Sequence, residues 1–262
     1  MKAKNVYYYS DELNDEFSGV TRETVTVDGN YTYIHNSFLW KLGSFVIYRV
    51  IMTPIACLYM KMKFHLKIEN KKVLKKCRKQ GYFMYGNHTQ MPGDGYLPTV
   101  LTFPKRDYVV VNADNISLKG TRTFMEMIGA FTLPNHMSGM KNFVKSMKVR
   151  IEQKNAVVIY PEAHIWPYYT EIRPYKADAF GYPVMFHCPV YCFTVTYQMR
   201  KYSEKANMTV YVDGPFFPPE GMKVKEAQEV LRNQVYETMC SRAKNSSFAF
   251  AEYIHKDCAD IE

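Results

Sequence analysis

Tyr82-Phe83-Met84-Tyr85-Gly86-Asn87-His88-Thr89-Gln90-Met91-Pro92-Gly93-Asp94 is the stretch that orders the rest of the chain. Its first four residues form an apolar run of strand length, Gly86 ends the run, and residues 95–103 suit a helix. His88 and Asp94 therefore fall at the C-terminal end of a strand, the edge at which open α/β sheets bind ligands. A carboxylate bonded to one ring nitrogen of a histidine fixes its tautomer. The other nitrogen is then free to take a proton from a hydroxyl. Out of this context, Asp94 would serve equally well as the cap of the following helix and His88 as a turn residue.

Outward from that turn the pattern alternates. Strands are expected near 81–85, 108–112, 156–160, 189–197 and 208–212, and helices at 95–103, 121–128, 139–153, 180–186 and 225–244. Alternation of this kind predicts an α/β fold, a mostly parallel sheet covered by helices on both faces. A second polar group repeats the geometry of the first. Val157-Val158-Ile159-Tyr160 runs into Pro161-Glu162-Ala163-His164, which puts Glu162 just past a strand end like His88, and Arg173 and Lys176 supply two cations before the next helix. Residues 1–34 are polar and aromatic, with a strand-like stretch at 24–27, and read as a separate lead-in. Residues 35–80 form an apolar and basic segment, and 81–262 the main domain.

Charge is concentrated in one place. The net charge is +9, and residues 61–80 alone carry nine Lys or Arg against Glu69. An apolar stretch, 38–60, lies directly before this block. It approaches the roughly 20 residues of a spanning helix, but Arg49 near its middle would cost about 2.5 kcal/mol or more in a bilayer core. Interfacial seating fits better, with Trp40, Tyr48 and Tyr59 at headgroup level and the basic block against anionic lipid. A buried core helix followed by a solvated charged one is the alternative. Nucleic acid is a poor fit, because the block holds one aromatic residue, Phe64, and no recognition motif. Six cysteines without a Cys-x-x-Cys pair, and no cleavable signal pattern at residues 1–10, read as reduced thiols in the cytoplasm. No metal-ligand spacing, Gly-x-Ser-x-Gly turn or phosphate-binding Gly-x-x-x-x-Gly-Lys loop is present.

The order of these features resembles the lysophosphatidate acyltransferase family, the PlsC-type glycerolipid acyltransferases. The corresponding segments are the apolar and basic stretch 38–79, Asn87-His88 with Asp94, Gly129-Ala130-Phe131-Thr132-Leu133-Pro134, Tyr160-Pro161-Glu162-Ala163-His164, Arg173-Pro174-Tyr175-Lys176, and Cys188-Pro189-Val190-Tyr191. The resemblance covers about 38–197. It implies a PlsC-type fold with a membrane-docking N-terminal helical segment, on the cytoplasmic face of the cell membrane. It also implies transfer of an acyl chain from acyl-CoA or acyl carrier protein to a lysolipid hydroxyl, without metal or cofactor. His88 would be the general base and Asp94 its partner, with Asn87, Glu162, His164, Arg173 and Lys176 in the substrate site. A lipid-binding or carrier-binding protein of the same fold that does not turn over is the alternative. Three departures stand out. Five residues separate His88 from Asp94 where the family has four. Of the family's two arginines, which are taken to hold the acceptor's phosphate, one falls near Asn135 and the other on Ile165. Either His164, Arg173 or Lys176 replaces them, or the acceptor lacks that phosphate.

Overall fold

The computed structural model describes residues 5–17, 19, 24–118 and 120–259. In chain order the strands are β1 (Asn5–Tyr9), β2 (Lys67–Glu69), β3 (Tyr82–Gly86), β4 (Asp107–Val111), β5 (Ala130–Thr132), β6 (Ala156–Ile159), β7 (Val190–Arg200), β8 (Ser203–Phe216) and β9 (Ala251–His255). The α-helices are α1 (Phe38–Phe45), α2 (Thr53–Phe64), α3 (Gly93–Thr102), α4 (Arg122–Ile128), α5 (Met140–Glu152), α6 (Gly181–Phe186), α7 (Val224–Ala243) and α8 (Lys256–Ala259). Seven strands form one sheet in the order β2-β8-β7-β3-β6-β4-β5. Every pairing is parallel except the hairpin β7-β8. The apolar run that begins β3 is central, and all five residues of the strand are buried. Burial on both faces is what a central parallel strand requires.

Each face of the sheet has its own helices. On one, Phe143 and Met147 of α5, Val184 of α6, and Leu231, Val235 and Met239 of α7 pack against Phe83, Tyr85 and Val157. On the other, Met60 and Phe64 of α2 and Leu97 and Leu101 of α3 pack against Tyr82, Met84 and Val158. The five strands and five helices expected beyond residue 80 are all found at their expected places.

The basic block does not continue as one helix, the alternative raised by the sequence, but breaks into short elements. His65 takes a left-handed backbone conformation (φ 45°) and ends α2, β2 pairs with β8, and Asn70 (φ 61°) opens a 3-10 turn at Lys71–Cys77. A left-handed residue terminates a helix whatever the charge that follows. Residues 24–27 make no strand. Val27 is fully buried, and its backbone N–H donates to the side chain of Asn135. The lead-in, moreover, does not stand apart from the main domain. The Tyr33 ring lies 4.9 Å from Phe131 and 5.8 Å from Phe143, inside the core, and β1 pairs in parallel with β9 at the other end of the chain.

α1, a π-helical stretch at Val46–Met52 and α2 form one continuous helix, Phe38–Phe64, long and apolar enough to cross a membrane. Its inward residues are Ser44, Tyr48, Thr53, Ala56, Met60 and Phe64. The five-residue step from Tyr48 to Thr53 falls in the π segment. The extra residue there keeps a single buried stripe facing the protein.

Candidate active site

Gly86 ends β3 at a point of close approach. A Cβ there would lie 2.1 Å from the ring of Phe193 on β7, so no larger residue fits. The next residue, Asn87, is buried and clamps β7: its amide donates to the carbonyl of Val195 (3.1 Å) and accepts from the Val195 N–H (2.8 Å). Both halves of the amide are thereby used. Asn87 fixes the direction in which the chain leaves the sheet and does not face a substrate.

His88 follows, partly open to solvent, with its Nδ1 2.8 Å from Oδ2 of Asp94. Asp94 lies in the first turn of α3, where the helix dipole favours an anion, and is almost fully buried. Its Oδ2 also accepts the backbone N–H groups of Thr89 and Gln90, each at 2.8 Å. The longer spacing between His88 and Asp94 is thus taken up by the turn. The role of Gly93 is spatial, not conformational: its φ is not left-handed, but a Cβ would meet Cβ of Gln90 at 3.0 Å.

Three other contacts immobilise the histidine. Its ring stacks on Tyr160 with centroids 4.5 Å apart, and the Tyr160 hydroxyl donates to the Asp94 carbonyl at 2.6 Å. The backbone N–H of Trp166 donates to the His88 carbonyl at 3.1 Å. The His88 N–H in turn donates to Oε2 of Glu162 at 3.0 Å. In sequence Tyr160 reads as core, because it is a tyrosine that closes an apolar strand. The useful signal was its place immediately before Pro161-Glu162, at the end of the strand beside β3.

Glu162 and Arg173 are brought together, but not toward a ligand. Both are buried, with Nη2 of Arg173 3.6 Å from Oε2 of Glu162. The guanidinium also donates to the carbonyls of Glu12, Glu162 and His164 and lies over the Trp166 ring. Burial pushes the Glu162 carboxyl upward, and Arg173 with the His88 and Arg173 backbone N–H groups opposes that rise. The expectation that Arg173 and Glu162 contact substrate is therefore corrected: they are the internal brace of the loop that holds His88. His164 pairs with Glu16 at 3.0 Å on the surface, and Lys176 is exposed and outside this network. At the two positions of the family's arginines, Asn135 pins Val25 and Val27, and the Ile165 carbonyl accepts the N–H of Phe17.

A family model described as Acyltransferase matches residues 65–197, half of the chain. The chain belongs to the acyltransferase family. The match spans the His88 turn, the Glu162 loop and β7, so the family region and the hydrogen-bonded site coincide. The acyltransferase is also similar in fold to the crystal structure of the 1-acyl-sn-glycerophosphate acyltransferase PlsC from Thermotoga maritima. The TM-score is 0.56 at 11% identity, over 75% of this chain and 80% of that one. No curated protein matches the acyltransferase by sequence. Among its described residues, no cluster of His, Cys, Asp and Glu has the makings of a metal site.

Proposed function

We propose that this acyltransferase moves a fatty acyl chain from a thioester, acyl-CoA or acyl carrier protein, to a hydroxyl of a glycerolipid, with His88 as general base. The observation that carries the reading is the 2.8 Å contact between Nδ1 of His88 and an Asp94 carboxylate that is itself held by two backbone N–H groups. With its proton on Nδ1, the imidazole offers the Nε2 lone pair to the acceptor hydroxyl. The hydroxyl loses its proton to Nε2 as its oxygen attacks the thioester carbonyl. The tetrahedral oxyanion then collapses, the C–S bond breaks, and the thiolate takes the proton back from the imidazolium, which Asp94 has stabilised meanwhile. The histidine ends as it began.

The acceptor we propose lacks a phosphomonoester at the position the family's arginines would serve. Asn135 stands near the first of those positions and Ile165 on the second, Arg173 is buried against Glu162 and the carbonyls of Glu12 and His164, and the Glu16 carboxylate pairs with His164 beside the same loop. A dianion brought there would meet the Glu16 carboxylate where the family has a guanidinium group. The long helix Phe38–Phe64 would seat the protein in the membrane that holds such acceptors. Among the described residues five cysteines are free thiols, in keeping with a site on the cytoplasmic face.

The test is acyl transfer by wild type and His88→Ala, from acyl-CoA and acyl carrier protein donors, to lysolipids with and without a terminal phosphate. Transfer by wild type alone, to acceptors without the phosphate, is expected. Equal transfer by both proteins would remove His88 as base, and preference for lysophosphatidate would overturn the acceptor assignment.

A further inference from the structure

The opposite end of the sheet carries a second feature that the acyl-transfer site does not use. A cavity of about 560 Å³ opens there, where β3, β4 and β6 begin. Its floor is apolar, made by Leu74, Tyr82, Leu101 and Phe103. Among the described residues its rim carries seven cations and no carboxylate. Three of the seven are committed to the fold: Lys71 donates to the Val100 carbonyl, Lys105 to the carbonyls of Arg78, Gln80 and Lys154, and Arg106 to Ser44 and the Met127 carbonyl. The other four, Lys72, Lys75, Arg78 and Lys154, are exposed. An apolar floor under a cationic rim matches an amphiphilic anion.

The long helix touches the wall of this cavity. Arg49 of that helix donates to the Pro104 carbonyl at 2.9 Å, and its guanidinium lies 5.1 Å from the ring of Phe103, which is half exposed on the cavity wall. A phospholipid beside the helix would thus find its acyl chains along the helix's exposed apolar surface and its headgroup within reach of Lys72, Lys75 and Arg78. We infer that this cavity is a second, non-catalytic site for the headgroup of an anionic phospholipid. It lies at the sheet edge opposite His88, so the lipid it holds is a ligand and not the acceptor. Its occupation would fix the protein's orientation on the membrane.

The experiment compares wild type, Lys72→Ala/Lys75→Ala/Arg78→Ala, and the charge-matched Lys141→Ala/Lys145→Ala/Lys148→Ala. The last three are exposed on α5, against the other face of the sheet. Sedimentation with vesicles of phosphatidylcholine, alone or with one fifth phosphatidylglycerol, gives the partition of each. Calorimetric titration with coenzyme A reports on soluble phosphate. The cavity variant should lose roughly a hundredfold in partition onto the anionic vesicles, with neutral vesicles and coenzyme A unaffected. The α5 variant should lose much less. Equal losses in the two variants would reduce the effect to net charge and overturn the site, as would no loss in the cavity variant. Loss of coenzyme A binding with unchanged vesicle partition would make the cavity a soluble-phosphate site instead. Because vesicle binding is read without turnover, its failure would leave the acyl-transfer reading standing.

Discussion

Asp94 is the residue on which the proposed chemistry turns, because a single carboxylate oxygen accepts His88 and two backbone N–H groups at once. Replacing it by asparagine keeps the size but puts an amide against Nδ1, which favours the wrong tautomer of the ring. Asp94→Asn should therefore lower kcat by 10²–10⁴-fold with KM nearly unchanged, as His88→Ala should, and steady-state kinetics would separate this from a loss of substrate binding. Tyr160→Phe keeps the stacked ring and deletes only the hydroxyl that donates to the Asp94 carbonyl. It should cost about 1 kcal/mol of stability in chemical denaturation and a modest part of kcat. His88 and Asp94 were legible in sequence because both lie on one short turn after an unmistakable strand. The partners Thr89, Gln90 and Tyr160 were not, since a backbone N–H has no side-chain signature and a ring stack joins residues far apart in sequence.

At the scale of elements, the loop after β6 is held by the Glu162–Arg173 pair, and its stability should depend on pH in a definite direction. Burial raises the Glu162 carboxyl above its unfolded value, so the stability tied to its protonation is fully present below that value and is lost as pH rises through the folded one. Arg173 opposes the rise. Arg173→Ala leaves the buried carboxylate without its countercharge, which at neutral pH should cost about 3–5 kcal/mol. At mildly acidic pH the same substitution should cost less, because Glu162 then takes up a proton and needs no partner. Denaturation of both proteins at the two pH values measures the difference, and an equal cost at both would refute the charge argument. Sequence placed Glu162 and Arg173 in the correct loop but misjudged their direction. Two strong charges near a strand end look like ligand contacts, and only their burial against Trp166 and the carbonyls of Glu12 and His164 marks them as a brace. The alternating strands and helices were readable for the opposite reason, since burial on a parallel sheet demands unbroken apolar runs. The three-residue strands β2 and β5 and the ribbon β1-β9 are too short, or too polar, to carry that signal.

For the molecule as a whole, the long helix would set where the proposed His88 site sits in relation to lipid. Its outward residues from Leu42 to Leu58 are uncharged, and include Phe45, Val50, Ile51 and Ile55. Lys41 bounds this surface at one end, and Lys61 and Lys63 at the other. Arg49, the charge that argued against deep insertion, is turned inward onto Phe103 and the Pro104 carbonyl, so the outer face presents no ion to a bilayer. The far end of the helix brings Phe64 within 3.6 Å of the Cβ position at Gly93, beside Asp94. A helix lying in the interface would therefore hold His88 close to the membrane surface, where a one-chain acceptor can present its hydroxyl without leaving the lipid. Ile51→Gln, Ile55→Gln and Leu58→Gln together remove three apolar side chains that touch nothing essential in the fold. At roughly 1.5–3 kcal/mol for each aliphatic side chain buried in lipid, partition onto neutral and anionic vesicles alike should fall by well over a hundredfold. Turnover of an acceptor dissolved in detergent should stay near wild type, because the His88–Asp94 geometry is built on β3 and α3 and not on the outer face of the helix. Vesicle sedimentation beside a detergent assay makes the comparison. Unchanged sedimentation would assign the exposed stripe to a protein partner in place of the bilayer.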